Sequence, residues 1–150
     1  MSKLKTGLNK IKQWLAPHKA SSQQVTPYQL MGEKAGIDKL VNDFYDIMDT
    51  APEAKNCRNL HGDDLSSSRE KLKLFLTQWL GGPLDYSDLY GHPRMRMRHM
   101  KFKIGQTEVD EWLWCMNHAL DQQNLTEELR VRLDQAFHQF AHHMKNSEGE

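Results

Sequence analysis

The chain reads as an all-α protein. Apolar residues recur at three- and four-residue steps in several separate segments. Thr and Ser residues of the helix-capping type precede several of those segments. An alternating strand pattern longer than a few residues is missing throughout, and no internal repeat is visible.

The N-terminus predicts a short basic amphipathic helix. Leu4, Leu8, Ile11 and Leu15 repeat at helical spacing beside Trp14 until Pro17 stops the pattern. Residues 1–20 carry Lys3, Lys5, Lys10, Lys12 and Lys19 and no acid, so this segment holds five positive charges and the neutral chain's remainder five negative ones. Such a stripe either packs on the domain or a second copy, or lies on an anionic membrane surface through residues 3–15; docking or partial disorder is the favoured expectation. Residues 17–26, PHKASSQQVT, read as a polar linker, making 1–26 an extension.

Thr26-Pro27 supplies an N-cap and a proline at the first helical position, which predicts a short helix ending near Gly32. A second helix is expected from Ile37 to Asp49, burying Ile37, Val41, Phe44 and Met48 with Tyr45 on its flank, with Pro52 beyond its end. Ser67-x-x-Glu70 reads as a capping box opening a helix with Leu72, Phe75, Leu76, Trp79 and Leu80, ended by Gly81-Gly82-Pro83. Thr107 starts the next, with Trp112, Leu113, Cys115, Met116, Ala119 and Leu120 inward. Thr126, followed by Glu127 and Glu128, caps a last helix running to about Met144. Residues 146–150 read as a disordered tail.

Composition narrows the function classes. The 150 residues suit one domain, 38% hydrophobic and 27% charged, with 20 basic residues against 20 acidic ones. That balance gives no argument for nucleic acid. Cys57 and Cys115 are too few for a disulfide framework, and no apolar run reaches a membrane span or a secretory signal core, so a cytoplasmic location is expected.

Between two helices lies the long segment GGPLDYSDLYGHPRMRMRHMKFKIGQ, residues 81–106, and loops of that length inside a compact domain usually carry function. His99 on that segment is a candidate axial ligand for haem, since neutral imidazole offers one strong bond to iron. Local chemistry alone does not single it out from eight histidines, and a lone histidine is more often not a ligand. His138 and His142 share a helical face and form an adventitious divalent-metal candidate, although solvated surface histidines are the plainer reading.

The sequence of motifs GGP, GHP, RMRMRH, FKI and EWLWCM, with FYDIM at Phe44 to Met48 and LHGDDL at Leu60 to Leu65 upstream, resembles the group II truncated haemoglobins in order and spacing. The resemblance covers residues 27–145. It implies a shortened globin fold, a two-on-two helical sandwich around haem b, with the proximal helix mostly replaced by loop and a short helix near His92 to Met100. It also implies that His99 is the proximal iron ligand, that Tyr45 is the distal tyrosine and that Trp112 is the tryptophan marking the group. His61 falls at the bend after the second helix, where relatives vary. Ser68 and Leu72 then line the pocket, which leaves the distal hydrogen bonding to Tyr45, Trp112 and His61.

Haem has an apolar macrocycle and two carboxylates, so its pocket needs apolar walls and a cation at its mouth. Arg96 and Arg98 are the expected propionate partners; the plainer reading of Arg94, Arg96 and Arg98 is a solvated basic edge. Leu72, Phe75, Met97, Phe102, Ile104 and Met116 are the expected walls, with Met100 beside them.

The reading that follows is a haem protein binding O2 and other diatomic ligands through a five-coordinate iron. A polar distal pocket suits slow O2 release and redox chemistry on NO, peroxide or related oxidants, in the manner of an NO dioxygenase or peroxidase. Turnover of that kind needs an external electron donor, and the expected state is a monomer or weak homodimer. The alternatives are a cofactor-free helical adaptor working through its basic N-terminal helix and a small metal protein built on the histidines.

Overall fold

A computed structural model describes residues 24–148, so the predicted N-terminal amphipathic helix and most of the linker lie outside the described residues. The described residues fold as helices joined by short turns. They are α1 (Pro27–Leu30), α2 (Glu33–Thr50), a 3-10 turn (Pro52–Ala54), α3 (Lys55–Asn59), α4 (Ser66–Trp79), α5 (Asp85–Tyr90), α6 (Met95–Arg98), α7 (Gln106–Asp121) and α8 (Glu127–Met144). No strand occurs among them.

The four long helices form the frame, with α2 packing on α4 and α7, and α7 also on α8. Ile37, Leu40, Val41, Phe44 and Met48 give α2 a face at most 1% exposed. Leu113, Met116 and Leu120 of α7, and Leu133 and Phe137 of α8, close the same core. Burying a side chain of this size contributes about 1.5–3 kcal/mol, which is why the periodic apolar stripes set the topology.

Caps fix the starts of α1, α7 and α8. Thr26 Oγ1 accepts from the Gln29 amide at 3.2 Å while Gln29 Oε1 accepts from the Thr26 amide at 3.0 Å, a reciprocal box at α1. Thr126 Oγ1 accepts from the Leu129 amide at α8. At α7 the helix begins at Gln106, one residue before the expected Thr107, and Glu108 reaches back to accept from the Gly105 amide at 2.8 Å. The expected Ser67–Glu70 box does not form. Helix α4 starts at Ser66, whose amide donates to Asp64 Oδ1 at 2.8 Å, so an aspartate upstream supplies the acceptor.

The turn after α4 needs its glycines. Gly81 has φ +100°, and a Cβ there would sit 2.8 Å from Thr26 Cβ; a Cβ on Gly82 would meet the Thr77 carbonyl at 2.8 Å and the Tyr28 ring at 2.9 Å. This close approach locks α1 onto the end of α4, where the Tyr28 amide donates to the Leu80 carbonyl.

Two short helices, α3 and α5, go beyond the elements expected from sequence, and Asn146 and Ser147 are bonded to the domain. The side chain of Asn146 accepts from the Ile104 amide at 2.9 Å and donates to the carbonyls of Phe102 at 2.9 Å and His99 at 3.3 Å. Ser147 also donates its amide to Ile104. These bonds sew the chain after α8 onto the segment that carries His99.

Candidate functional site

Between the two helix pairs lies a cavity of about 590 Å³, inside the range of roughly 300–1,000 Å³ typical of ligand sites. Tyr45 of α2, His61 of the bend, Ser68, Leu72 and Phe75 of α4, Arg98 and His99 of the α6 segment, Phe102, Ile104 and Trp112 all line it. Ten of the thirteen residues named from sequence therefore meet at one place.

The other three do not. Met97 is 59% exposed, because it lies two residues before His99 on a helical turn, nearly opposite at 100° per residue. Met95, one full turn before His99, takes the wall position instead. Arg96 is half-buried outside the cavity lining, with Nη1 at 3.5 Å from Met100 Sδ, and Met116 lies at 0% exposure in the core, one turn deeper along α7 than the cavity-lining Trp112. Wall residues that sequence reasoning missed include Lys71, Lys101, Val109, Phe140 and Met144. Phe140 and Met144 continue the Leu133–Phe137 stripe of α8, so the periodicity held that signal.

His99 is half-buried, and its Nδ1 lies 2.6 Å from the Met95 carbonyl. A carbonyl only accepts, so Nδ1 carries the proton and Nε2 keeps a free lone pair. Arg98 braces the turn before it, donating through Nε to Pro93 and through Nη2 to Tyr90 at 2.8 Å and His92 at 3.0 Å. Its Nη1 is the nitrogen left over. That clamp holds a turn in which Arg94 has φ +40°, a left-handed conformation costly for a residue with a side chain.

In the same cavity, Tyr45 is 5% exposed. Burial pushes its phenol well above the usual range. Trp112 packs its indole against Phe44 at 5.1 Å, Phe140 at 5.8 Å and Phe137 at 5.9 Å, which fixes the ring. His61 stands edge-on to Tyr45 at 5.8 Å. Its bend is held by Arg58, which donates to Asp49, Gly62 and Asp63.

Burial lowers the His61 pKa below the ordinary 6.5, with Arg58 and His99 adding in the same direction, so His61 is neutral at pH 7. Its Nδ1 meets the Cys57 carbonyl at 3.0 Å and so holds the proton. Neutral His61 then presents a bare Nε2, an acceptor. Cys57 and Cys115 are buried free thiols; burial raises both, Cys115 to about 12, so neither is a ready nucleophile.

Residues 26–146 match the bacterial-like globin family. The group 2 truncated hemoglobin of Bacillus subtilis strain 168 is 38% identical over 120 residues, spanning 80% of this chain and 88% of that protein. Among solved structures, the cold-adapted truncated hemoglobin of Pseudoalteromonas haloplanktis TAC125 is 42% identical with a TM-score of 0.80, covering 82% of this chain and 99% of the other. The group II 2-on-2 hemoglobin of Agrobacterium tumefaciens is 41% identical with a TM-score of 0.82, covering 86% and 99%. The chain is a group II truncated haemoglobin.

Haem-based ligand binding comes with that family, and the two-on-two sandwich is its fold. The cofactor-free adaptor is not favoured. The histidine-metal reading also lacks support: the His138 and His142 rings stack at 6.4 Å, yet among the described residues no group of three or more His, Cys, Asp or Glu is placed to hold a metal ion. No helix among the described residues is long and apolar enough to cross a membrane.

The cavity suits haem on its own chemistry. Leu72, Phe75, Ile104, Val109 and Phe140 give it apolar walls, and His99 has a nitrogen lone pair uncommitted. Lys71, Lys101 and Arg98 supply the cations two carboxylates need.

Proposed function

We propose that this haemoglobin holds haem b with His99 Nε2 as the proximal ligand, leaves the distal position open, and binds O2 tightly enough to favour redox chemistry on NO or peroxide over simple carriage. The observation that supports this most is that His99, Tyr45 and Trp112 line one cavity, with the Trp112 indole held by three phenylalanines.

The haem would supply a metal centre for diatomic ligands and for electron transfer. The chain's own residues supply the rest. The Met95 carbonyl draws on the His99 Nδ1 proton, which fixes the ring and raises the basicity of Nε2. Lys71, Lys101 and the remaining nitrogen of Arg98 offer charge to the propionates. The high Tyr45 pKa keeps its hydroxyl protonated, so it remains a donor at any physiological pH. The Trp112 indole N–H can only donate, and its packing on three phenylalanines restricts where it points. Donors aimed at a ligand that gains negative charge hold it and slow its release. His61 adds a lone pair at the same wall, able to approach the distal position when no ligand is present.

Catalytic turnover on NO or peroxide draws electrons from a separate donor, and residues 1–26 are dispensable for haem binding in this account. Stopped-flow spectroscopy of the haem-reconstituted ferrous protein with O2, NO and peroxide is the test. Slow O2 release together with rapid reaction of the O2-loaded protein with NO, or of the ferric protein with peroxide, supports the redox reading. Fast O2 release with neither reaction overturns it.

A further inference from the structure

Four oxidisable rings line the cavity: Tyr45, Tyr86, Tyr90 and Trp112. Their access to water differs sharply, since Tyr45 is 5%, Tyr86 4% and Tyr90 40% exposed. Tyr90 is the exposed tyrosine among the described residues, and it forms cavity wall and outer surface at once. Its ring lies 5.0 Å from that of Tyr86, and ring contacts continue through Phe75 at 5.9 Å, Phe140 at 5.4 Å and Trp112 at 5.8 Å. Aromatic contact is thus unbroken from the distal wall to solvent.

We propose that Tyr90 is a surface one-electron oxidation site, where oxidising equivalents left in the pocket by hydrogen peroxide are passed to small phenols in solution. This rests on the peroxide reading above. Hydrogen peroxide takes up two electrons and two protons to give two waters. Tyr90 supplies an electron and releases its phenolic proton to solvent, leaving a neutral tyrosyl radical. A phenol then returns one electron and one proton to Tyr90. Two such rounds balance as H2O2 + 2 ArOH → 2 H2O + 2 ArO•.

Proton release decides which ring carries the radical. Lys71 Nζ stands 5.7 Å from the Tyr90 ring and Arg98 Cζ 5.5 Å from the Tyr86 ring, so a positively charged radical is disfavoured on either, and the proton must leave with the electron. The exposed Tyr90 can hand that proton to water directly. Tyr86 is buried, and Tyr45 sits in surroundings that resist loss of its proton. Phe75 and Phe140 act as bridges between the more oxidisable rings.

The test uses the haem-loaded full chain and its Y90F variant, each treated with hydrogen peroxide in the presence of a nitroso spin trap, then digested and mapped by mass spectrometry. Guaiacol is the phenol in a parallel oxidation assay. Phenylalanine keeps the ring contact with Tyr86, and an unaltered ferric spectrum shows that the variant folds and binds haem. The expected result is a trap adduct on the Tyr90 peptide of the parent protein, with loss of that adduct and of guaiacol oxidation in Y90F while the Soret band still responds to peroxide. Adducts on Tyr45, Tyr86 or Trp112, with guaiacol oxidation intact in Y90F, would overturn the assignment to Tyr90. A Soret band indifferent to peroxide in the parent protein would instead overturn the peroxide reading, and this proposal with it.

Discussion

Replacing Trp112 with phenylalanine removes one hydrogen-bond donor from the distal wall while leaving an aromatic ring for Phe44, Phe137 and Phe140 to pack on. A hydrogen bond to an acceptor bearing charge contributes about 1.5–3 kcal/mol. At about 1.4 kcal/mol per factor of ten, O2 release should accelerate roughly 10- to 150-fold if Trp112 is the sole donor. Tyr45 lines the same cavity; if both donors reach one bound ligand, a double variant with Tyr45→Phe should fall short of the product of the singles. The assay is displacement of O2 by excess CO, followed at the Soret band by stopped flow. Equal off-rates in the parent, both single variants and the double variant would refute the assignment of these donors.

Three further outcomes follow from the same wall and from the loop below it. Acidification should slow O2 release, because protonated His61 gains an Nε2–H donor; burial holds its pKa below 6.5, so the change falls below that pH and is absent from His61→Gln. The same shift costs stability: the unfolded chain takes up this proton more readily, so stability falls as pH drops through about 6.5, and less so in His61→Gln by chemical denaturation. Asn146→Ala removes three hydrogen bonds to the segment bearing His99, each contributing about 0.5–1.5 kcal/mol, and should speed haem loss to an apomyoglobin scavenger; unchanged haem loss would show that the C-terminal clasp is idle.

The long helices were legible because their apolar residues repeat: Phe44 and Met48 on α2, Trp112 and Met116 on α7, and Leu133 and Phe137 on α8 each lie within a turn of one another. Helix α5 escaped that signal, since six residues beginning at Asp85 bury Tyr86 alone. Helix α3 escaped for a different reason: Glu111 of α7 ties it down, accepting from Asn56 at 2.8 Å and from the Cys57 amide at 2.9 Å, a contact 54 residues away in sequence. The motif around His99 singled out a segment that lines the cavity, but in a helix of four residues it did not say which neighbours turn inward. Met95 and Arg98 line the cavity; Met97 and Arg96 do not. Lys71 and Lys101 were hidden among twenty basic residues, where nothing local separates a pocket cation from a solvated one.

The claim that His99 carries the haem iron stands or falls on resonance Raman spectroscopy of the reconstituted ferrous protein and of His99→Gly, with His92→Ala as the neighbouring control. The parent and His92→Ala should show an iron–histidine stretching band. It should vanish in His99→Gly and be replaced by an iron–imidazole band when imidazole is added, because the Met95 carbonyl that orients the ring remains. An unchanged iron–histidine band in His99→Gly would place the ligand elsewhere in the chain.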